Sequence, residues 1–472
     1  MEVILMPFHG QGHMNTMLQF AKRLIWKGAG NIRVTLATTL STTQKMINSD
    51  NENLAFIITK SIYDDTDDAK LNFKARFDRF QSQASVELGR LISTRSSSSA
   101  GKCLLVYDAN LSWALDVAKQ QGVPGAAFFT QACAYVASFY SMFLEEYADN
   151  HDHPVIAAAN ANANANASPP LCVIVPSPEE LERGLPSLLS FSSTATDTKP
   201  LHPIIRMMLS HMSNLHLADL VLFNSFDNLE DEVVKWMANL WPVRTIGPTL
   251  PSAYLDKRVE HDVDYGFNLF KSNNDTCLNW LNAKQVASVV YVSFGSAAAL
   301  SVEQTGEIAE ALKHIPSSFL WIVRETEHSK LPDNFINETS DKGLVVSWCP
   351  QLDVLAHEAV GCFVTHCGWN STIEALSFGV PMLAMPQFMD QMIDAHFVDQ
   401  IWGVGVKPKA NEKGLVSREE ITHCLEEIMH GQRAEKIKEN AGKWKALAKE
   451  AVGEGGSSDK HIDEIIDLLA SL

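Results

Sequence analysis

Residues Trp348–Gln391 read WCPQLDVLAHEAVGCFVTHCGWNSTIEALSFGVPMLAMPQFMDQ. Within this stretch two short apolar runs, Cys362–Thr365 and Met382–Met385, have the length of buried strands, and each is followed by a helical pattern, Asn370–Phe378 and Met392–Trp402. Strand, turn and helix in repeated succession predict a parallel sheet with helices on its faces. The polar residues fall at the junctions rather than within the runs. Trp348 and Gln351 follow a third strand, Gly343–Ser347, while His366-Cys367-Gly368-Trp369-Asn370-Ser371 and Asp390-Gln391 follow the other two. Doubly wound sheets bind ligands just beyond the carboxyl ends of their strands, where these residues fall.

The residue types suggest what such a ligand would be. An exposed indole at Trp348 could stack on a flat base. At 366–371 a glycine permits close backbone approach, the first N–H groups of the helix favour an anion, and His366, Asn370 and Ser371 add donors, so a phosphate or diphosphate fits. Glu374, one turn after Asn370, is placed to accept two ribose hydroxyls. The carboxylate and amide of Asp390-Gln391 suit sugar hydroxyls. Each residue also has an ordinary structural reading: Trp348 and Trp369 as core, His366 as a buried histidine, Asn370 as a helix cap. Repetition at successive junctions favours the ligand. Zinc at Cys362, His366 and Cys367 fails on spacing.

The same logic extends outward. Glu2–Met6, Arg33–Ala37, Cys103–Tyr107, Gly125–Phe129, Val289–Ser293 and Phe319–Val323 read as further strands, with helices at Met14–Trp26 and Ala114–Gln121. Ser301-Val302-Glu303-Gln304 opens another helix as a capping box. The fold class is α/β, with two doubly wound domains facing a cleft. The Pro/Gly-rich stretch near residues 246–251 divides a first domain, 1–248, from a second, 249–457, followed by an amphipathic helix, 458–472, that docks onto one of them. Asn and Ala alternate over 157–167, which reads as a loop. Asp64–Asp68 and His261–Asp264 contain D-x-D spacings but read as solvated loops.

A chain of 472 residues with net charge −18 disfavours nucleic acid as a partner. Its eight scattered cysteines suggest no disulfide framework. With no apolar run of spanning length and no leader pattern at the N-terminus, a cytoplasmic protein is expected, acting as a monomer.

A proton acceptor is expected from the first domain. His13 follows the first strand and Asp108 ends the Cys103–Tyr107 strand, so a parallel sheet puts both at one edge. A carboxylate accepting the imidazole Nδ1–H leaves Nε2 to take a proton. His9 is a rival that would line an acceptor pocket or face solvent. A nicotinamide enzyme is disfavoured: the glycine pattern begun by Gly10-Gln11-Gly12 meets Asn15, and the second strand ends in Ala37-Thr38-Thr39 without an acid. A non-catalytic nucleotide-sugar binder would keep Trp348–Gln391 but would not need His13 and Asp108 together.

The 44-residue stretch 348–391 resembles, without a gap, the signature of plant family-1 glycosyltransferases that use UDP-sugars. PFHGQGHMNTMLQFAKRL (7–24), LVYDANLSWALDVAKQQGVPGAAFFTQACA (105–134), VVYVSFGS (289–296) and DQMIDAHFVDQIWGVGV (390–406) extend the resemblance over most of the chain, which is most similar to group L. The resemblance implies the GT-B fold and a last helix crossing back onto the first domain. It implies that Trp348 stacks on uracil, that the Cys349 backbone bonds it, and that Gln351 and Glu374 hold the ribose. His366, Asn370, Ser371 and Ser296 would bind the diphosphate with the Trp369 backbone nearby. Asp390 and Gln391 would grip the sugar, the latter suggesting glucose, and Thr130 would lie near the sugar hydroxyls. His13 and Asp108 would be catalytic. The reaction expected is inverting transfer of glucose from UDP-glucose to a hydroxyl of a lipophilic molecule (phenolic, steroid or terpenoid), as in plant secondary metabolism. UDP-glucose is then a co-substrate, and no metal or other cofactor is expected. Ester formation on a carboxylic acid is the alternative. The acceptor pocket is expected from Ala134–Leu144 and Pro186–Phe191. His9, Gly10 and Thr16 depart from the usual opening, so acceptor preference does not transfer directly.

Overall fold

The computed structural model describes residues 1–48, 57–98, 101–146, 169–174, 208–209, 211–267 and 274–472. The Asn-Ala alternation and Pro186–Phe191 lie outside them. Among the described residues, thirteen parallel strands form two separate sheets. In chain order these are β1 (Glu2–Met6), β2 (Arg33–Thr39), β3 (Ile57–Tyr63), β4 (Cys103–Asp108), β5 (Gly125–Phe129), β6 (Leu220–Phe223), β7 (Val243–Thr245), β8 (Val289–Ser293), β9 (Ser318–Ile322), β10 (Gly343–Val346), β11 (Val360–Thr365), β12 (Met382–Ala384) and β13 (Gly405–Val406).

The first unit holds β1–β7 in the order β3-β2-β1-β4-β5-β6-β7. Its main helices are α1 (Gln11–Lys27), α2 (Leu40–Asn48), α3 (Phe73–Ser98), α4 (Trp113–Gln120) and α5 (Cys133–Glu146). The central strands are buried along their whole length, as their uninterrupted apolar runs demand when helices cover both faces. The direction of winding reverses between β1 and β4, which pair through Met6 and Tyr107. The residues just past these two strands therefore meet at the topological switch point.

The boundary of this unit differs from the expected break at 248/249: described residues through Phe267, and again Lys449–Leu472, belong to it. The physical reason lies on α1. Lys22 and Arg23 are only 3% and 7% exposed, and buried cations need partners. Asp262 supplies one at 2.8 Å, and Asp256 bonds Arg23 through both oxygens at 2.6 and 3.0 Å. Asp262 is thus an interior counter-ion, not part of a solvated loop. Asp68 is likewise buried, accepting from the Tyr63 hydroxyl at 2.6 Å. The helix Ser457–Ser471 seats Ile462, Ile465 and Leu469 in the same core as Leu18, Phe20 and Val3. Asp459 accepts from Lys27 at 2.8 Å, and Ser458 donates to the Gly247 carbonyl at 2.6 Å.

The second unit covers the described residues Asn274–Ala448 and holds β8–β13 in the order β10-β9-β8-β11-β12-β13. Its winding reverses between β8 and β11, so the loops after Ser293 and Thr365 share its switch point. Ser301 caps the helix Val302–His314 by accepting from the Gln304 N–H at 3.1 Å. Helix Asp390–His396 runs into a wider π-type turn, Phe397–Ile401, where one continuous helix over 392–402 was expected.

Candidate active site

In the first unit, the third residue of α1 and the last of β4 come together. Nδ1 of His13 lies 2.6 Å from Oδ2 of Asp108. The Asp108 side chain is 1% exposed and that of His13 23%, so the carboxylate is sealed while the imidazole reaches solvent. The other carboxylate oxygen, Oδ1, accepts the Asn110 N–H at 3.1 Å, which fixes the plane of the group. The Thr130 hydroxyl, just beyond β5, lies 3.0 Å from the same imidazole nitrogen. Thr130 is thus placed on the His13–Asp108 pair, a contact that spacing along the chain could not reveal.

The surface beside this pair is aromatic. Phe8 meets the His13 ring edge-on at 5.4 Å, and Phe80 packs against His9, Tyr63 and Trp113 at 4.7, 5.2 and 5.7 Å. His9 is exposed and stacks over Phe8 at 6.0 Å, within electrostatic reach of Asp65, Asp68, Asp108 and His13. Ala134–Leu144, expected to line an acceptor pocket, lies in α5 with Tyr135, Phe139 and Phe143 buried. The aromatic cluster around Phe80 is drawn from residues far apart in the chain, which no local pattern could have gathered.

In the second unit, β8 and β11 bring Gly295 and His366 together. A side chain at Gly295 would fall 2.9 Å from Nε2 of His366, and one at Gly368 only 2.6 Å from it, so both glycines are needed to leave room for the ring. Gly295 also has φ +69, which suits glycine. Nδ1 of His366 is buried without a hydrogen-bond partner. Burial first, and the charge of Arg324 second, hold the imidazole down to about 4, so it is neutral at pH 7. Arg324 donates to the carbonyls of Ser296 and Ala298, fixing the loop that follows β8. Cys367, at φ +60, and Met389, at φ +59, are non-glycine residues in the left-handed region directly at two strand-to-helix junctions. Such strain persists where the surroundings impose it and concentrates at functional sites.

The residues at the ends of β10 and β11 form a connected set. Gln351 donates through Nε2 to the Ser371 hydroxyl at 3.0 Å and to Oε2 of Glu374 at 2.7 Å. Trp348 is half-buried, so its indole is not walled into the core. Cys349 is 6% exposed. Trp369 is 2% exposed and packs against Trp402, a core side chain. Asn370 and Asp390 are half-buried in the first turns of their helices. The amide oxygen of Gln391 accepts the Gln387 and Phe388 N–H groups at 2.9 and 3.2 Å, so this side chain braces the loop after β12. Among the described residues no group of three or more His, Cys, Asp or Glu is arranged to hold a metal.

These features define a nucleotide-sugar transferase with the GT-B fold, and comparison with known proteins agrees. Residues 237–451 match the family described as UDP-glucoronosyl and UDP-glucosyl transferase. The chain is 52% identical to UDP-glucosyl transferase 74CD1 of Saponaria officinalis, over 100% of this chain and 98% of that one. It superimposes on the crystal structure of Os79 from O. sativa in complex with UDP with a TM-score of 0.78, at 34% identity, over 99% of this chain and 100% of that one. Os79 in complex with U2F and trichothecene matches with a TM-score of 0.75, at 33% identity and the same coverage. The protein belongs to the UDP-glycosyltransferase family and is an enzyme of that class.

Proposed function

We propose that the enzyme transfers glucose from UDP-glucose to a hydroxyl of a lipophilic small molecule with inversion at the anomeric carbon. The observation that carries this reading is the His13–Asp108 pair at the switch point of the first sheet. A carboxylate on Nδ1 keeps the proton there, so Nε2 presents its lone pair. The acceptor hydroxyl gives its proton to Nε2 while its oxygen bonds to C1 of the glucose. The bond from C1 to the diphosphate oxygen breaks, and UDP departs with the electron pair. A single displacement converts an α-linked donor into a β-glucoside. Asp108 steadies the imidazolium as it forms.

The donor is proposed to lie on the second unit. Trp348 stacks on uracil, with the Cys349 backbone beside the base, and Glu374 and Gln351 serve the ribose. Ser296, His366, Asn370 and Ser371 meet the diphosphate, together with the first N–H groups of the helix Trp369–Phe378. Their donors are aimed where charge grows on the leaving group, so the scheme requires no metal. Asp390 and the Nε2 of Gln391 serve the sugar hydroxyls.

Two observations favour a lipophilic hydroxyl acceptor. The Phe8 ring lies against His13, and Phe80 packs on His9 beside it, while Os79, similar over its whole length, was crystallised with a trichothecene. The reading also places the enzyme in the reducing cytosol. All eight cysteines are unpaired, and among the described residues no helix is long and apolar enough to cross a membrane. The test is a mass-spectrometric screen of UDP-glucose against mixed phenolic, steroid and carboxylic acceptors, with His13→Ala as control. Alkali-stable glucosides that require His13 support the reading. Alkali-labile esters as the main products overturn it.

A further inference from the structure

Tyr291 lies in the middle of β8, 1% exposed and stacked on Phe363 at 4.8 Å, and its apolar neighbours make it look like one more core aromatic. Its hydroxyl is what sets it apart. Buried at a strand centre, a phenol needs a partner. It donates to Oε1 of Gln351 at 3.0 Å, with the Cys349 thiol 3.3 Å away. At its other end the same amide donates one hydrogen to Ser371 and the other to Glu374. Both amide hydrogens are therefore committed, and the amide can face only one way. Turned over, its oxygen would confront the Glu374 carboxylate. Burial pushes the Tyr291 hydroxyl well above its ordinary range, with Cys349 and Glu374 adding to the effect, so it stays a donor at any working pH.

We infer that Tyr291 is a positioning residue for the donor: through Gln351 it fixes the carboxylate of Glu374 so that its remaining acceptor capacity faces the ribose hydroxyls. Glu374 is 5% exposed, just past the middle of its helix, and the bond from Gln351 restricts the rotamers its long side chain could otherwise adopt. The chain Tyr291–Gln351–Glu374 removes that freedom before the nucleotide arrives. In this arrangement Gln351 spends its donors on the protein and acts on the ribose chiefly through Glu374. This inference rests on the donor site proposed above.

The test compares UDP with 2′-deoxy-UDP by calorimetry in the parent enzyme and in Tyr291→Phe, Gln351→Glu and Glu374→Gln. Tyr291→Phe keeps the ring and its stacking, and a thermal melt checks that the fold survives. UDP binding should weaken about three- to tenfold, the worth of one buried hydrogen bond. Binding of 2′-deoxy-UDP should change less, so the preference for the ribonucleotide shrinks, and the KM for UDP-glucose should rise with little change in kcat. Gln351→Glu, which sets a carboxylate against Glu374, should erase the preference. If Glu374→Gln abolishes the ribonucleotide preference while Tyr291→Phe leaves it intact, Tyr291 does not position the site and the donor reading stands. If Glu374→Gln leaves the preference unchanged, the donor reading itself fails.

Discussion

Replacing Asp108 by Asn tests the proposed chemistry most directly, because the structure dictates what the amide must do. Oδ1 of Asp108 accepts the Asn110 N–H and Oδ2 accepts from His13. In Asp108→Asn the one oxygen must stay on the Asn110 N–H, which has no use for a second donor. The NH2 group is then forced against Nδ1 of His13. That nitrogen becomes an acceptor, the ring proton moves to Nε2, and the base is blocked. The imidazolium also loses a full charge about 4 Å away. At an effective dielectric near 20 this is worth about 4 kcal/mol, or about 10³ in kcat. The assay is steady-state glucosylation of an unactivated alcohol, with UDP affinity measured in parallel. UDP binding should stay within about twofold, since Asp108 belongs to the first unit. An acceptor that is already ionised, such as 4-nitrophenol at pH 8.5, needs no base, so its loss should be far smaller. An Asn variant within tenfold of the parent on the unactivated alcohol would refute the assignment.

Further outcomes are expected. Trp348→Ala should weaken UDP binding roughly 5- to 100-fold, as loss of one base stack does, and calorimetry will show it; unaltered affinity removes the stacking claim. His366→Ala should reduce affinity for UDP but leave that for uridine nearly unchanged, which competition binding separates. A chelator should leave turnover intact in a dialysed sample, and loss restored by a divalent ion would revive a metal role. Acidification should destabilise the fold. His366 and His211 are both held down to about 4 by burial, so below pH 6.5 the unfolded chain binds protons that the folded one refuses. Stability they contribute is full above 6.5 and falls towards 4, by up to about 3 kcal/mol for His211, and melts recorded across that range with His211→Asn will show the difference. Asp262→Ala, which leaves Lys22 buried without its carboxylate, should cost about 3 kcal/mol in urea unfolding.

Much of the framework was legible from short apolar runs. β1, β5 and β8 have the bounds read from the sequence, because central strands of a parallel sheet are apolar throughout and end abruptly at turns. β3 escaped because it is an edge strand whose sequence, IITKSIY, mixes polar residues with apolar ones. β13 escaped through brevity, with two residues. The helix α3 is polar overall, yet Phe80, Ala84, Leu88 and Ile92 recur every four residues and are buried, a signal that was there to be read. The grouping of polar residues at strand ends was visible too, since core packing offers no reason for it. What no local pattern carries is long-range pairing. Lys22 and Asp262 stand 240 residues apart, and only the folded chain shows that the second stretch belongs with α1. The same holds for Thr130 beside His13, and for a tyrosine whose hydroxyl matters more than its ring.

The second unit is, in effect, inserted into the first: the chain leaves after Phe267 and returns at Lys449 with the helix Ser457–Ser471. During synthesis the early sheet therefore emerges with a gap over Leu18 and Phe20, and with Lys27 lacking Asp459. About 200 residues beyond Phe267 must be made before Ile462, Ile465 and Leu469 can fill that gap. The part made first is the part finished last, and a nascent chain stalled near residue 450 would expose that unfilled hydrophobic face to chaperones.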